Sequence, residues 1–146
     1  MRRLSKCNCC PNVVIAFRTE PELRQPFLDR NLVPDAWVSW NDGGRRFNCF
    51  IEVDLHHEGL IEWRGKVLAY LDYAESGLHR ERFGFTLFRV LVLARSRARI
   101  ENLREVAGEA GRLFIFAGLD AIGRREVFSP IWRSVGGGDL VALSDA

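Results

Sequence analysis

Apolar positions along the chain follow two periods, and the points where one gives way to the other mark the elements. Residues 13–17 are a short apolar run. Thr19-Glu20-Pro21-Glu22 has the marks of a helix start: a threonine cap, proline in the first turn and acids beside the N-terminus. That helix is short, because Pro26 interrupts its pattern. Residues 33–40 alternate as a strand and run into Asn41-Asp42-Gly43-Gly44, a turn signal between two alternating runs. Residues 46–54 form the return strand of a hairpin. Two registers are open for it. With Trp40 across from Arg46, Asp35 faces Ile51; with Trp40 across from Phe47, Asp35 faces Glu52.

Residues 59–74 switch to the helical period, with Leu60, Trp63, Val67 and Leu71 as the buried stripe and Lys66, Tyr70 and Tyr73 together beside it. Gly77 closes this helix. Residues 88–94 are nearly all apolar, as in a strand buried on both faces of a sheet. Ser96 caps a helix over 98–110, Gly111 stops it, and 113–117 is a second buried strand. Ser129-Pro130-Ile131-Trp132 reads as a short edge element. We expect a tail at 1–12, one α/β domain at 13–135, and a flexible C-terminal tail at 136–146 opened by Gly136-Gly137-Gly138. The order of helix, hairpin, helix, strand, helix, strand implies a mixed central sheet flanked by helices. No internal repeat is evident.

Composition narrows the class. A chain of 146 residues, 47% hydrophobic and 27% charged, has the size and core of one globular domain. No apolar run approaches the roughly 20 residues that span a bilayer, and no signal-peptide apolar region follows the basic start, so a cytoplasmic protein is expected. Cys7, Cys9, Cys10 and Cys49 lack the second CxxC or histidine pair of a zinc site and are expected to be free thiols. Net charge is only +2, but Arg80, Arg82, Arg89, Arg95, Arg97, Arg99 and Arg104 fall in one stretch. They form either a basic face for phosphates or a set of paired surface charges.

Only Lys6 and Lys66 are lysines among 21 cationic residues. A lysine kept in so arginine-rich a chain points to a place where a compact ammonium matters, the alternative being a solvated helix position. Glu52 and Asp54 share a strand face. In the second register Asp35 stands directly across from Glu52, with Cβ atoms about 5 Å apart. Like charges that close are disfavoured unless a cation intervenes, which is the physical case for a metal between Asp35 and Glu52. Asp54 reads equally as a helix-capping acid. His56-His57 read as surface residues or as ligands, and His79 as unimportant. Trp37, Trp40, Trp63 and Tyr73 read as core residues or as surfaces for stacked bases.

Pro34-Asp35, the hairpin and Glu52 resemble the PD-(D/E)XK nuclease superfamily, whose aspartate and glutamate hold Mg²⁺ while a lysine orients or activates water. Two positions after Glu52 stands Asp54 instead of lysine. Some members place the lysine on the following helix, and Lys66 is expected to be such a residue. A restriction-endonuclease-like core is implied. A closer resemblance covers most of the chain. Pro34-Asp35, Phe50-Ile51-Glu52-Val53-Asp54, Lys66-Val67-Leu68-Ala69-Tyr70, Phe88-Arg89-Val90-Leu91-Val92 and Ser129-Pro130-Ile131-Trp132 are similar to the plasmid replication-relaxation family of bacteria. His56-His57 stand where that pattern has a small turn. Its members carry an N-terminal winged-helix portion, so this chain reads as a truncated or divergent member.

The resemblance implies action on DNA in plasmid or mobile-element replication and relaxation, through Mg²⁺-dependent cleavage. Asp35 and Glu52 would hold the metal, with the Val53 carbonyl as a further ligand. Lys66 would position water or stabilise phosphate charge, and Asp54 would support the site or hold a second metal. Glu20 or Glu22 would assist. Tyr70 would support Lys66 or touch a phosphate, and Arg80, Arg82 and Arg97 would contact nucleic acid. DNA and plasmid replication proteins are the expected partners, with no membrane. The alternative is a non-catalytic DNA-binding or protein-interaction domain that keeps the nuclease fold.

Overall fold

The computed structural model describes residues 13–55, 58–124 and 127–145. In chain order these form β1 (Val13–Thr19), α1 (Glu20–Leu23), β2 (Ala36–Asp42), β3 (Arg45–Asp54), α2 (Leu60–Ser76), α3 (Leu78–Phe83), β4 (Arg89–Ala94), α4 (Arg97–Val106), β5 (Phe114–Gly118), α5 (Leu119–Arg124) and β6 (Arg133–Ser134). The strands make one sheet in which spatial order equals chain order, β1-β2-β3-β4-β5-β6. β1, β2 and β3 pair antiparallel, β3, β4 and β5 pair parallel, and β6 returns antiparallel. The fold is therefore α/β, a mixed sheet with flanking helices.

Strand periodicity divides the core between the two faces. Phe50, Val90, Val92, Phe114 and Phe116 point to the face that α2 and α4 cover, and Cys49, Leu91 and Ile115 point to the other. On the first face Phe50 is ringed by Phe27, Tyr73 and Phe88 at centroid separations of 5.5, 6.1 and 5.2 Å. Burying each such ring contributes about 1.5–3 kcal/mol. The second face is closed by Ile131, Trp132 and Leu143.

Most expected elements form, with informative shifts. Gly43 and Gly44 both have positive φ, 55° and 86°, so the hairpin closes through a two-residue loop whose twist suits the strands. β2 starts at Ala36, after Pro34, which has no N–H to give a ladder. Residues 13–17 become an edge strand with Val13, Val14, Ile15 and Phe17 exposed. The α2 stripe is rotated from the expected one: Trp63, Val67, Tyr70 and Tyr73 are buried, while Leu60 is exposed and Ile61 is 89% exposed. Aromatic area outweighs aliphatic area in choosing the face, because each ring removes more surface from water. Beyond the glycine run, expected as a tail, the chain packs back. Val141 bridges Trp132, and Leu143 joins the core. None of the described helices is long and apolar enough to cross a membrane.

Candidate functional site

The hairpin pairs Trp40 with Phe47 and Ala36 with Ile51, which is the second of the two registers. One step beyond Ala36, Asp35 stands at the mouth of the hairpin opposite Glu52. Its own N–H donates to the Ile51 carbonyl at 3.1 Å, and its Oδ2 accepts from the Val53 N–H at 2.7 Å. The aspartate is thus pinned to β3 by two backbone bonds.

Glu52 points inward under α2 and is 3% exposed. Lys66 and Tyr70, one helical turn apart on α2, approach it together. Lys66 Nζ donates to Glu52 Oε2 at 2.9 Å, and the Tyr70 hydroxyl donates to Oε1 at 2.6 Å. Lys66 also pairs with Glu58 Oε1 at 2.6 Å. Glu58 lies just ahead of Gly59, whose N–H donates to Glu62 and opens the helix. The four side chains therefore come from one strand end, one helix face and the short connection between them.

Burial pushes the Glu52 carboxyl up from its ordinary 4.5 to about 7, against the pull of Lys66 and Tyr70, and the neighbouring Asp35 charge pushes the same way as burial. Burial disfavours the Lys66 ammonium, but the Glu52 charge and the hydrogen bonds to Glu58 and Glu52 outweigh it, so the group stays protonated well above neutrality. Its half-exposed partner Glu58 holds the ammonium whichever way Glu52 titrates. Tyr70 is lifted by burial first and then by Glu52, which leaves it a proton donor only. The site joins a carboxyl that titrates near neutrality to a fixed ammonium and a second acid.

The structure brings Asp35, Glu52, Lys66 and Tyr70 together, and gives several of the other expected residues partners of their own. Asp54 follows Glu52 on the same face but binds Arg99 of α4, through Oδ2 to Nη2 at 2.6 Å and to Nε at 3.1 Å. Among the described residues no group of three His, Cys, Asp or Glu side chains is disposed to hold a metal. Tyr70 is fully buried, so its hydroxyl serves Glu52 and is out of reach of a phosphate. Glu20 pairs with Arg24, and Glu22 accepts from Thr19, the β1 residue that pairs with Ala36 next to Asp35. Arg82 binds the Pro26 carbonyl and Asp29. Arg80 is exposed on α3, beyond the end of α2, which itself lies about 15 Å along the helix axis from Lys66. Arg97 is exposed in the first turn of α4. The three tryptophans and Tyr73 are buried core. His56, His57 and the cysteines at 7, 9 and 10 lie outside the described residues.

Two partners escaped the sequence reading. Glu58 had a usable signal, since it flanks the start of the helix that carries Lys66. Arg99 is 45 residues from Asp54, and only the parallel pairing of β3 with β4 brings the start of α4 to the end of β3.

No curated protein and no solved structure matches the chain. A family model described as replication-relaxation matches residues 14–87, half of the chain. That span runs from β1 through α3 and contains Asp35, Glu52, Lys66 and Tyr70. With the hairpin, the helix and all four clustered side chains inside the match, the chain belongs to the replication-relaxation family.

Proposed function

We propose that this protein acts on DNA in plasmid or mobile-element replication, and that Asp35, Glu52 and Lys66 form a site for Mg²⁺-assisted phosphodiester cleavage. Family membership supports the replication role. The observation that carries the chemical reading is the convergence of two acids and a lysine at the mouth of the hairpin, with Glu52 buried at the expense of its ionisation. Replacing a buried ion pair by apolar residues is often neutral or stabilising, so a purely structural pair has little to recommend it here. The donor chemistry fits: Mg²⁺ takes hard oxygen ligands, commonly one or two carboxylates with water and substrate phosphate completing the set. Bound by Asp35 and Glu52, it would polarise a phosphoryl oxygen and acidify the attacking water.

The chain's own residues have separable tasks in this reading. The Val53 amide fixes Asp35. Tyr70 orients Glu52. Lys66 keeps its proton through Glu58 and can leave Glu52 to meet phosphate charge.

A second reading has its own support. Both Glu52 oxygens already accept hydrogen bonds, and Asp54 is held by Arg99. An accessory DNA-binding domain that keeps the fold without cleavage accounts for that. Titrating Mg²⁺ or Mn²⁺ into wild type and Glu52→Ala, with thermal stability and supercoiled-plasmid nicking followed together, separates them. Metal-dependent stabilisation and nicking, both lost in the variant, support cleavage. DNA binding with neither effect makes the domain an accessory.

A further inference from the structure

At the end of the sheet away from Glu52, the starts of β3, β4 and β5 meet around a cavity of about 340 Å³. Its wall carries Arg45 and Arg46 from β3, Arg89 from β4 and Arg112 just before β5. Among the described residues no acid lines it. Two further concavities, of about 890 and 290 Å³, share Arg89, Arg112 and Leu87 with it on one side and Arg46, Asn48 and Leu87 on the other, with no acid in their walls among the described residues. The result is a basic groove that starts about 10 Å along β3 from Glu52, at the Cys49–Arg89 pair, and reaches about 20 Å, at Arg46.

Three details distinguish this groove from a solvated charged face. First, the arginines that pair with carboxylates, such as Arg24, Arg30, Arg82, Arg99 and Arg104, lie elsewhere. Among the described residues Arg45, Arg46, Arg89 and Arg112 have no carboxylate partner, although Arg89 is half-buried, where an unpaired charge is costly. Two of them are already oriented: Arg46 Nε donates to Ser39 Oγ at 3.0 Å, and the Arg45 guanidinium lies 5.0 Å over the Phe47 ring. Second, Asn48 lines the groove, is 8% exposed, and its Oδ1 has no hydrogen-bond partner. That oxygen is enclosed by the protein, so a donor from outside the chain meets it only when the Asn48 side chain turns toward the groove. Third, Leu87 sits among the arginines at 81% exposure, an apolar surface with nothing on it.

We propose that this groove binds a single nucleic-acid strand, with Arg89 and Arg112 on its phosphates, the Asn48 amide oxygen accepting from a base amino group, and a base lying against Leu87. Phosphate alone satisfies the arginines but leaves Asn48 and Leu87 unexplained, whereas a nucleotide unit uses all three. Amino groups of adenine and cytosine supply the donor that Asn48 lacks. A basic track with an apolar surface for bases is how proteins hold single strands without reading much sequence. The three concavities in series exceed what one mononucleotide fills. The proposal rests on the reading of the protein as acting on DNA and assigns it a contact surface separate from the acidic site.

The test is fluorescence anisotropy of a labelled 15-nucleotide single-stranded DNA (about the upper site size of single-strand-binding folds) in EDTA, at several salt concentrations. Arg89→Ala and Arg112→Glu are each expected to weaken binding about tenfold. Each should also flatten the slope of log affinity against log salt by about 0.7. Arg112 is exposed, so its variant reports on binding even if Arg89→Ala misfolds. Arg64→Glu on the exposed side of α2 makes the same charge change elsewhere and is expected to stay within twofold. An equal loss in Arg64→Glu, or no binding at low salt, overturns the proposal. A free mononucleotide that binds as tightly as the strand also overturns it and makes the ligand a nucleotide. Because EDTA removes metal, plasmid cleavage without strand binding would sink the groove and spare Glu52, and strand binding without cleavage would do the reverse.

Discussion

Replacing Glu52 by glutamine tests whether the protein keeps a carboxylate there at a cost in stability. The folded chain releases the Glu52 proton near 7 and the unfolded chain near 4.5. Between those values the folded state binds more protons, so stability falls as pH rises through the window and is flat above it. Below about 4.5 both states are protonated and no penalty exists. The interval from 4.5 to about 7, at about 1.4 kcal/mol per pH unit, amounts to about 3 kcal/mol. Glutamine keeps the shape and an oxygen for the Tyr70 hydroxyl, with no charge to desolvate, and Glu58 still holds Lys66. Urea denaturation of both proteins in EDTA, from pH 4.5 to 8, reads the difference with other titrating groups cancelled. Near-equal stability is expected at pH 4.5, with Glu52→Gln ahead by up to about 3 kcal/mol at pH 8. A variant less stable than wild type at pH 8 would refute the reasoning, because the pair with Lys66 would then outweigh the cost of burial. A stabilised variant fits a residue retained for chemistry.

Other perturbations follow from the packing. Arg99→Ala removes the guanidinium from Asp54, whose side chain is 5% exposed, and should cost about 3 kcal/mol in urea denaturation, with Asp54→Asn restoring part of the loss in the double variant. Phe50→Ala opens the centre of the aromatic cluster and is expected to cost about 3–5 kcal/mol, lowering the thermal midpoint accordingly. Gly77 joins α2 to α3 at φ 74°, so Gly77→Ala should lose about 1 kcal/mol by the same assay even though a methyl group meets no atom there.

The sheet was legible because its code is local. The glycine turn and flanking alternation located the hairpin. The apolar runs at 88–94 and 113–117 located β4 and β5. Of the site, Asp35, Glu52 and Lys66 could be read because the hairpin fixes the two acids and the next helix carries the lysine. Tyr70 was placed beside Lys66 correctly, but its burial depended on which face α2 turns inward, and Trp63 and Tyr73 decide that through contacts with β5 and with Phe27. Asp54 shows the limit from the other side. Its strand face was evident, but its partner arrives from a helix four elements later. The basic groove was hidden for a similar reason. Arg45, Arg46, Arg89 and Arg112 come from three strand starts that meet only once the sheet is assembled, while the sequence cluster at 80–104 shares only Arg89 with the groove and otherwise drew attention to arginines that lie elsewhere.

Each strand of the sheet lies beside the one that precedes it in the chain, and this orders events during synthesis. The sheet can grow at one edge as the ribosome delivers it, since no strand has to wait for a distant partner. The β2–β3 hairpin can bring Asp35 and Glu52 face to face before α2 docks and delivers Lys66. The nascent pair stays in water, where its repulsion is weak, and Glu52 loses its hydration only when α2 docks and brings Lys66 and Tyr70 with it. Docking of one helix thus excludes water from the carboxylate and supplies its counter-charge in the same step, so that the acid is never left dry and alone on the way to the native state.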